Sequence, residues 1–436
     1  MVKANICVAI SLTLLVVCGA DDRCDRDGSS LSVRLNPDCP AGIDCSYINV
    51  PQNATRRTNL VYVKSRRCDR VTHSMLSTIG IPSVLIASSN NQTELHVRNW
   101  TQLIMNGSLA ITLDPTETGN DDDAHVHGWR MNKLYRFTDP NDRADISKAI
   151  KVDSISLANV NWLNATINQT SDEITIEICS NDEAPNSQMH MFGNGTMCIK
   201  MCVFSHPGRD TELPRLLHTP RSVQLDVELY GLSLNQLGDR TRFAIELMFV
   251  SSIKGGIRKE VQLSIDDEYT PGIFETVEVT YPHEAAHATW KPVSYKQASH
   301  ARTAFTQTNS GDMKTPLPTE YPSGILFSYF KMNWKDMHKY GTNLTIGYPK
   351  DGYYVSSMYA SWSLSLGIGQ APMDRMSTLL LVLLIIGVTV PLLALLCALL
   401  FGCAFWLRRR KDKLDADREF LVDGDTFDDT SAPVQG

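Results

Sequence analysis

The chain has 436 residues, 43% of them hydrophobic and 20% charged, with a formal net charge of −7 at pH 7. A mildly acidic chain with no basic domain excludes nucleic acid as a partner.

At the N-terminus Lys3 precedes the apolar run Ile6 to Val17, and the small residues Cys18 and Ala20 stand before Asp21. This is the layout of a cleaved signal peptide, residues 1–20, too short to be a membrane span. The chain from Asp21 to the next long apolar run is expected to be luminal, roughly 350 residues, enough for one large or two ordinary domains. Seven cysteines fall there: Cys24, Cys39, Cys45, Cys68, Cys179, Cys198 and Cys202. In an oxidising compartment such residues form disulfides, and an odd number leaves one over. Sequence proximity pairs Cys179 with Cys198 or Cys202, and the first four among themselves. Cys198 and Cys202 also make a C-x3-C with His190 and His206 nearby, but the compartment favours bridges over a zinc site.

The sequon N-x-S/T occurs at Asn53, Asn91, Asn99, Asn106, Asn164, Asn168, Asn194 and Asn343, all within the expected luminal part. Each occupied one must sit on an exposed loop or strand edge. The same part reads as β-strands. Leu60–Val63, Ser83–Ala87 and Ser108–Leu113 are short β-branched or apolar runs, and Ile174–Ile178 and Val223–Leu229 alternate strictly. Phe243–Val250, Val261–Ile265, Phe274–Val279 and Leu344–Ile346 continue the pattern. Gly, Pro, Asn and Asp clusters separate them, with no interleaved helices. The expected fold class is all-β, an antiparallel β-sandwich architecture in two sandwiches. The polar run Pro207 to Pro214 suggests the division, into luminal domains at 21–210 and 211–374. Asp121 to Gly128 (D-D-D-A-H-V-H-G) is expected to be a polar loop.

Ser377 to Leu407 is 31 residues without a charge, where about 20 suffice to cross a bilayer. Arg408, Arg409, Arg410, Lys411 and Lys413 come directly after it. The basic flank belongs on the cytosolic side, so 377–407 is a transmembrane helix of a type I protein and 408–436 a cytosolic tail. Ala394, Ala398 and Gly402 fall four apart on one side of that helix, a spacing that allows close helix packing. In the tail, Asp417, Leu421 and Val422 fit an acidic dileucine-like signal, D-x-x-x-L-V, of the kind clathrin adaptors bind as an extended peptide.

Several strings resemble one known family. They are Leu213–Leu229 (L-P-R-L-L-H-T-P-R-S-V-Q-L-D-V-E-L), Ser264–Phe274 (S-I-D-D-E-Y-T-P-G-I-F), Trp290–Tyr295 (W-K-P-V-S-Y) and Ser361–Gly369 (S-W-S-L-S-L-G-I-G). Gly80–Ala87, Asn159–Thr166 and Phe192–Thr196 extend the likeness upstream. In this order they are similar to the glycosylated lysosomal membrane protein family. The resemblance implies a lysosomal location and the role of glycosylated accessory subunit. The implied partner is a multi-pass lysosomal transporter of the major-facilitator type, which exports dipeptides and which the subunit shields from luminal proteases. The tail departs from the family's tyrosine-based sorting signal: it is longer and holds no tyrosine.

Candidate catalytic groups are few. Asp266 and Glu268 could share a strand face as a glycosidase pair, but a turn or a partner contact suits D-D-E better. His125 and His127 could face one way on an extended segment and hold a metal. A solvated acidic loop suits them better. There is no G-x-S-x-G, H-E-x-x-H or P-loop. The expectation is a protein that is not an enzyme and carries no cofactor, no metal and no catalytic residue. The alternatives are a receptor or adhesion ectodomain and a lysosomal glycosidase.

Overall fold

In the strand Ser222–Tyr230, Val223, Leu225, Val227 and Leu229 are buried in one apolar cluster, while Gln224, Asp226 and Glu228 take the opposite face. A period of two places alternate side chains on opposite faces of a sheet. The same logic runs through the computed structural model. It describes residues 28–50, 54–68, 70–105, 110–114, 125–180, 189, 192–193, 195–232, 240–252, 255–263, 272–314, 323–330, 334, 337–352, 358–373 and 378–422.

The strands in chain order are β1 (Ser30–Leu35), β2 (Tyr47–Val50), β3 (Ala54–Arg57), β4 (Leu60–Arg66), β5 (Arg70–Ser77), β6 (Ser83–Asn90), β7 (Glu94–Val97) and β8 (Ile111–Asp114). Then come β9 (His125–Thr138), β10 (Val152–Ser156), β11 (Thr166–Gln169), β12 (Glu173–Cys179), β13 (Thr196–Phe204), β14 (Gly208–Arg209), β15 (Leu217–His218) and β16 (Ser222–Tyr230). The last are β17 (Thr241–Ser251), β18 (Arg258–Leu263), β19 (Glu275–Thr280), β20 (Ala286–Trp290), β21 (Val293–Tyr295), β22 (Phe305–Ser310), β23 (His338–Ile346) and β24 (Tyr359–Ile368). The α-helices are α1 (Trp100–Ile104), α2 (Gly324–Phe330) and α3 (Thr378–Val422).

Two antiparallel sheets face each other. One runs β1-β4-β5-β6-β9-β17-β23-β22-β21, with β10 added to β9, and the other runs β11-β12-β13-β16-β24-β20-β19-β18. Their inner faces share one apolar core. Trp129 from the first sheet meets Trp362 from the second at 6.5 Å between ring centroids, and Trp290 meets Trp362 edge-on at 5.8 Å. The outer face of the first sheet carries a second core. There α1, α2 and the hairpin β7–β8 cover Leu60, Tyr62, Met75, Leu85, Met248 and Val250. This is why β17 is buried along its whole length. Gly128 makes the covering possible, since a Cβ there would lie 2.3 Å from the Leu326 side chain on α2.

Sheet membership crosses the boundary expected at residue 210. β9 lies beside β17, and β13 beside β16. The described residues up to Pro372 therefore form one compact unit holding one sandwich, and the division falls after Pro372 rather than at 210. The polar run that suggested a boundary carries β14, which pairs with β15 in a small hairpin. The loop expected at 121–128 is corrected in part. Residues 125–128 open β9, and His127 is buried, 3.3 Å from Ser251 Oγ and edge-on to Tyr281. Asp266 and Glu268 lie outside the described residues.

Replacing a buried tryptophan with alanine removes its burial and leaves a cavity, a loss of roughly 3–5 kcal/mol. Trp362→Ala is expected to lower the denaturation midpoint accordingly, and Trp362→Phe to lower it less. An unchanged midpoint in the alanine variant would show that the indole cluster does not hold the sheets together.

Candidate functional site

Five of the sequon asparagines can be placed. Asn99 caps α1: its Oδ1 accepts from Gln102 N at 2.9 Å, and the side chain is exposed. Capping uses the oxygen, so the amide nitrogen stays available for a sugar. Asn164 and Asn168 are exposed, Asn164 just before β11 and Asn168 on it, and β11 ends the second sheet. Asn91 comes directly after β6, is half-buried, and donates from Nδ2 to the Cys68 carbonyl. Asn343 is half-buried within β23, opposite Glu246 on β17. Asn53, Asn106 and Asn194 lie outside the described residues.

Cys39 is bonded to Cys45, and Cys179 to Cys198 across β12 and β13. Cys68 is also disulfide-bonded, while Cys24 lies outside the described residues. Cys202 is a buried free thiol. The C-x3-C pair is thus one bridged sulfur and one free thiol, and His190 lies outside the described residues. Glu177 approaches Cys179 and Cys198, but a disulfide offers no thiolate to a metal.

α3 spans 45 residues and is long and apolar enough to cross a membrane. It continues through the basic cluster to Val422. Asp417, Leu421 and Val422 therefore lie on helix, where the sorting reading needs extended chain. Ala394, Ala398 and Gly402 form an exposed row on it.

Two buried polar clusters were not anticipated. At one, Arg242 on β17 is 1% exposed. Its Nε donates to Asp139 at 2.7 Å, and its Nη2 reaches Asp142, Asp351 at 2.8 Å and the Gly352 carbonyl at 2.7 Å. The guanidinium fork thereby ties the turn after β9 to the turn after β23. Gly347 (φ +104°) passes so close that a Cβ would lie 1.9 Å from Nη1. Removing one partner of such a buried pair leaves the other charge stranded, which costs ~3–5 kcal/mol.

The other cluster lies on the outer face of the second sheet. Asp226 on β16 is 6% exposed, and Gln224 Nε2 donates to both Asp210 and Asp226. Lys200 and Cys202 stand on the neighbouring β13, in register with Asp226 and Gln224. The segment carrying Asp210, Leu213 and His218 packs here, and His300 Nδ1 donates to the Leu213 carbonyl at 2.7 Å. Burial pushes the Asp226 carboxyl from 3.8 up to about 6, against the opposing pull of a Ser363 hydrogen bond and of Lys200. Burial also pushes the Cys202 thiol up, and Asp226 adds to it, so Cys202 is not a nucleophile. Elsewhere, burial holds His73 and His287 down to about 4. The strict alternation V-Q-L-D-V-E-L locates Asp226 on the face away from the apolar core, but only the packed segment buries it.

The chain matches the family model described as glycosylated lysosomal membrane protein over residues 59–411. It is 29% identical to the glycosylated lysosomal membrane protein of Danio rerio, over 89% of this chain and 93% of that one. To the protein of the same name in Bos taurus it is 29% identical, over 81% and 85%. To that of Homo sapiens it is 26% identical, over 78% and 82%.

A carboxyl whose pKa is raised on folding contributes stability that is full below 3.8 and is lost as pH rises through about 6. That rise corresponds to ~3 kcal/mol. His73 and His287 act oppositely, losing stability as pH falls from 6.5 through about 4. The difference between variant and parent therefore isolates Asp226. Between pH 4 and pH 7 the melting temperature of Asp226→Asn is expected to gain several degrees on the parent's. Parallel profiles would exclude Asp226 as the titrating group.

Proposed function

The chain belongs to the glycosylated lysosomal membrane protein family, and from that premise we propose that it is the accessory subunit of a multi-pass lysosomal transporter. The protein is a lysosomal membrane protein anchored by one C-terminal helix, with its β-sandwich in the lumen. On the proposed reading it stabilises a major-facilitator-type partner that carries dipeptides, and shields it from luminal proteases.

The observation that carries this reading is the pairing of a sequon-bearing sandwich with a single apolar anchor. Asn99, Asn164 and Asn168 all stand where a glycan can leave the surface. Glycans on these sites would give the subunit a protease-resistant coat. Two of its buried acids are committed to the fold: Asp139 to Arg242, and Glu246 to Asn132 at 3.0 Å and to Tyr135. A glycosidase needs two carboxyls facing a sugar-sized space, and these face side chains. The anchor supplies the second contact. Helices in a membrane associate through close packing over small residues, and Ala394, Ala398 and Gly402 offer such a row. The tail's Asp417, Leu421 and Val422 would address the protein through clathrin adaptors, after local unwinding of α3.

Two measurements test this. Asn164→Gln with Asn168→Gln should remove two glycan increments from the electrophoretic mobility and speed cleavage by lysosomal proteases. Unaltered mobility would mean that neither site is occupied. In mild detergent the full-length protein should co-purify with a multi-pass membrane protein, and exchanging α3 for an unrelated span should reduce that recovery severalfold. Recovery of no multi-pass protein by the parent chain would remove the accessory reading.

A further inference from the structure

The second sheet ends in β11 on one side and β18 on the other among the described residues. An open edge presents unpaired backbone N–H and C=O groups, and proteins blunt such edges with lysine, proline, bulges or cover. The two ends are treated differently. β11 has Asn164 and Asn168 exposed beside and on it, so carbohydrate can cover that edge. No sequon falls between residues 195 and 342, the stretch that contains β18 and its neighbours.

β18 keeps one charged device of that kind, the exposed Arg258 at its first position. It contains no proline, and five of its six residues are exposed. Its one lysine is withdrawn: Lys259 Nζ donates to the carbonyls of Ser310 at 3.0 Å and Gly311 at 2.6 Å. What the strand presents instead is alternation. Val261 is 52% exposed and Leu263 82%, both on one face. Glu260 and Gln262 take the other face. Glu260 stands directly opposite Glu278 on β19, and like charges in that position repel. Gln262 Nε2 donates to Glu278, which leaves the acidic character of the pair in place. Arg258 shares that face but stands across from Thr280 rather than Glu278, so a further cationic side chain beside Glu260 would relieve the repulsion.

We propose that the β18 edge is a docking site for an extended luminal segment of a multi-pass membrane partner, joined by strand addition. Backbone hydrogen bonds would provide affinity and alternate side chains the selectivity. The incoming strand carries basic residues on the face of the Glu260–Glu278 pair and apolar residues on the face of Val261 and Leu263. This inference rests on the accessory-subunit reading and names the luminal contact for it.

The test uses the full-length chain in its native membrane, solubilised in mild detergent. Val261→Lys with Leu263→Lys is expected to cut recovery of the multi-pass partner about tenfold or more, and Glu260→Arg to reduce it as well. Both apolar side chains are already exposed, so glycosylation and protease resistance of the sandwich should match the parent's. If the parent recovers a multi-pass protein and the lysine variant recovers as much, the edge inference is overturned while the accessory reading stands. If the parent recovers none, both fall. In a second arm, a photoreactive residue at position 263 should crosslink to a luminal segment with basic and apolar residues alternating, identified by peptide mass spectrometry. An adduct confined to a second copy of this chain, or to a segment without that alternation, overturns the inference. So does the absence of any adduct from an intact complex.

Discussion

Neither half of the luminal chain can complete a sheet by itself. The longest strand, β9, hydrogen-bonds to β17 more than a hundred residues later, and β13 to β16 across the β14–β15 excursion. The last strand, β24, slots between β16 and β20. Until these pairings form, the inner faces have nothing to bury against, and Trp129, Trp290 and Trp362 have no partner ring. Long-range pairing of this kind is expected to fold slowly, because loop closure must come before the contacts that offset it. The unit up to Pro372 is therefore one cooperative body, and an interruption anywhere in it exposes sheet that the other half was to cover.

Polar groups are buried where that body needs to be held at its ends and covered on its outside. Arg242 gathers two turns at one end of the first sheet through carboxylates and a carbonyl. Asp226 and Gln224 lie under a segment that crosses the second sheet. The two differ in what pH does to them. The guanidinium stays charged at any physiological pH. The carboxyl of Asp226 does not, because burial disfavours its ionised form. Acidification neutralises it and removes the penalty, which suits a protein that matures at neutral pH and works in an acidic lumen.

On the proposed reading the two ends of the second sheet divide the labour. A glycan at Asn164 or Asn168 would, on that reading, keep other strands off the β11 edge, as lysine or a bulge does elsewhere. The β18 edge, unpaired among the described residues and carrying an acidic pair and two exposed apolar side chains, would then be open to a chosen strand. On that proposal the sequons would bear on where a partner can reach the sandwich as well as on resistance to proteases.

Much of this was legible in the residues. An uncharged run of 31 with a basic flank has one physical solution, a membrane helix oriented by its flank. Strict alternation in V-Q-L-D-V-E-L and I-T-I-E-I marks strands and tells which side chains face inward. The strings from Leu213 to Gly369 carried the family. Which strands become neighbours was decided by the tertiary structure alone. Backbone hydrogen bonds are the same for every sequence, so alternation gives the face of a strand but not its partner. That is why one sandwich stands where two were expected, and why Cys198 rather than Cys202 meets Cys179: the β12–β13 register sets the two bridged residues side by side. It is also why His127, in a polar and acidic stretch, is buried against Tyr281. Asp226 and Arg242 acquired their roles in the same way, from segments a hundred or more residues distant or from loops that only the completed sheets bring near.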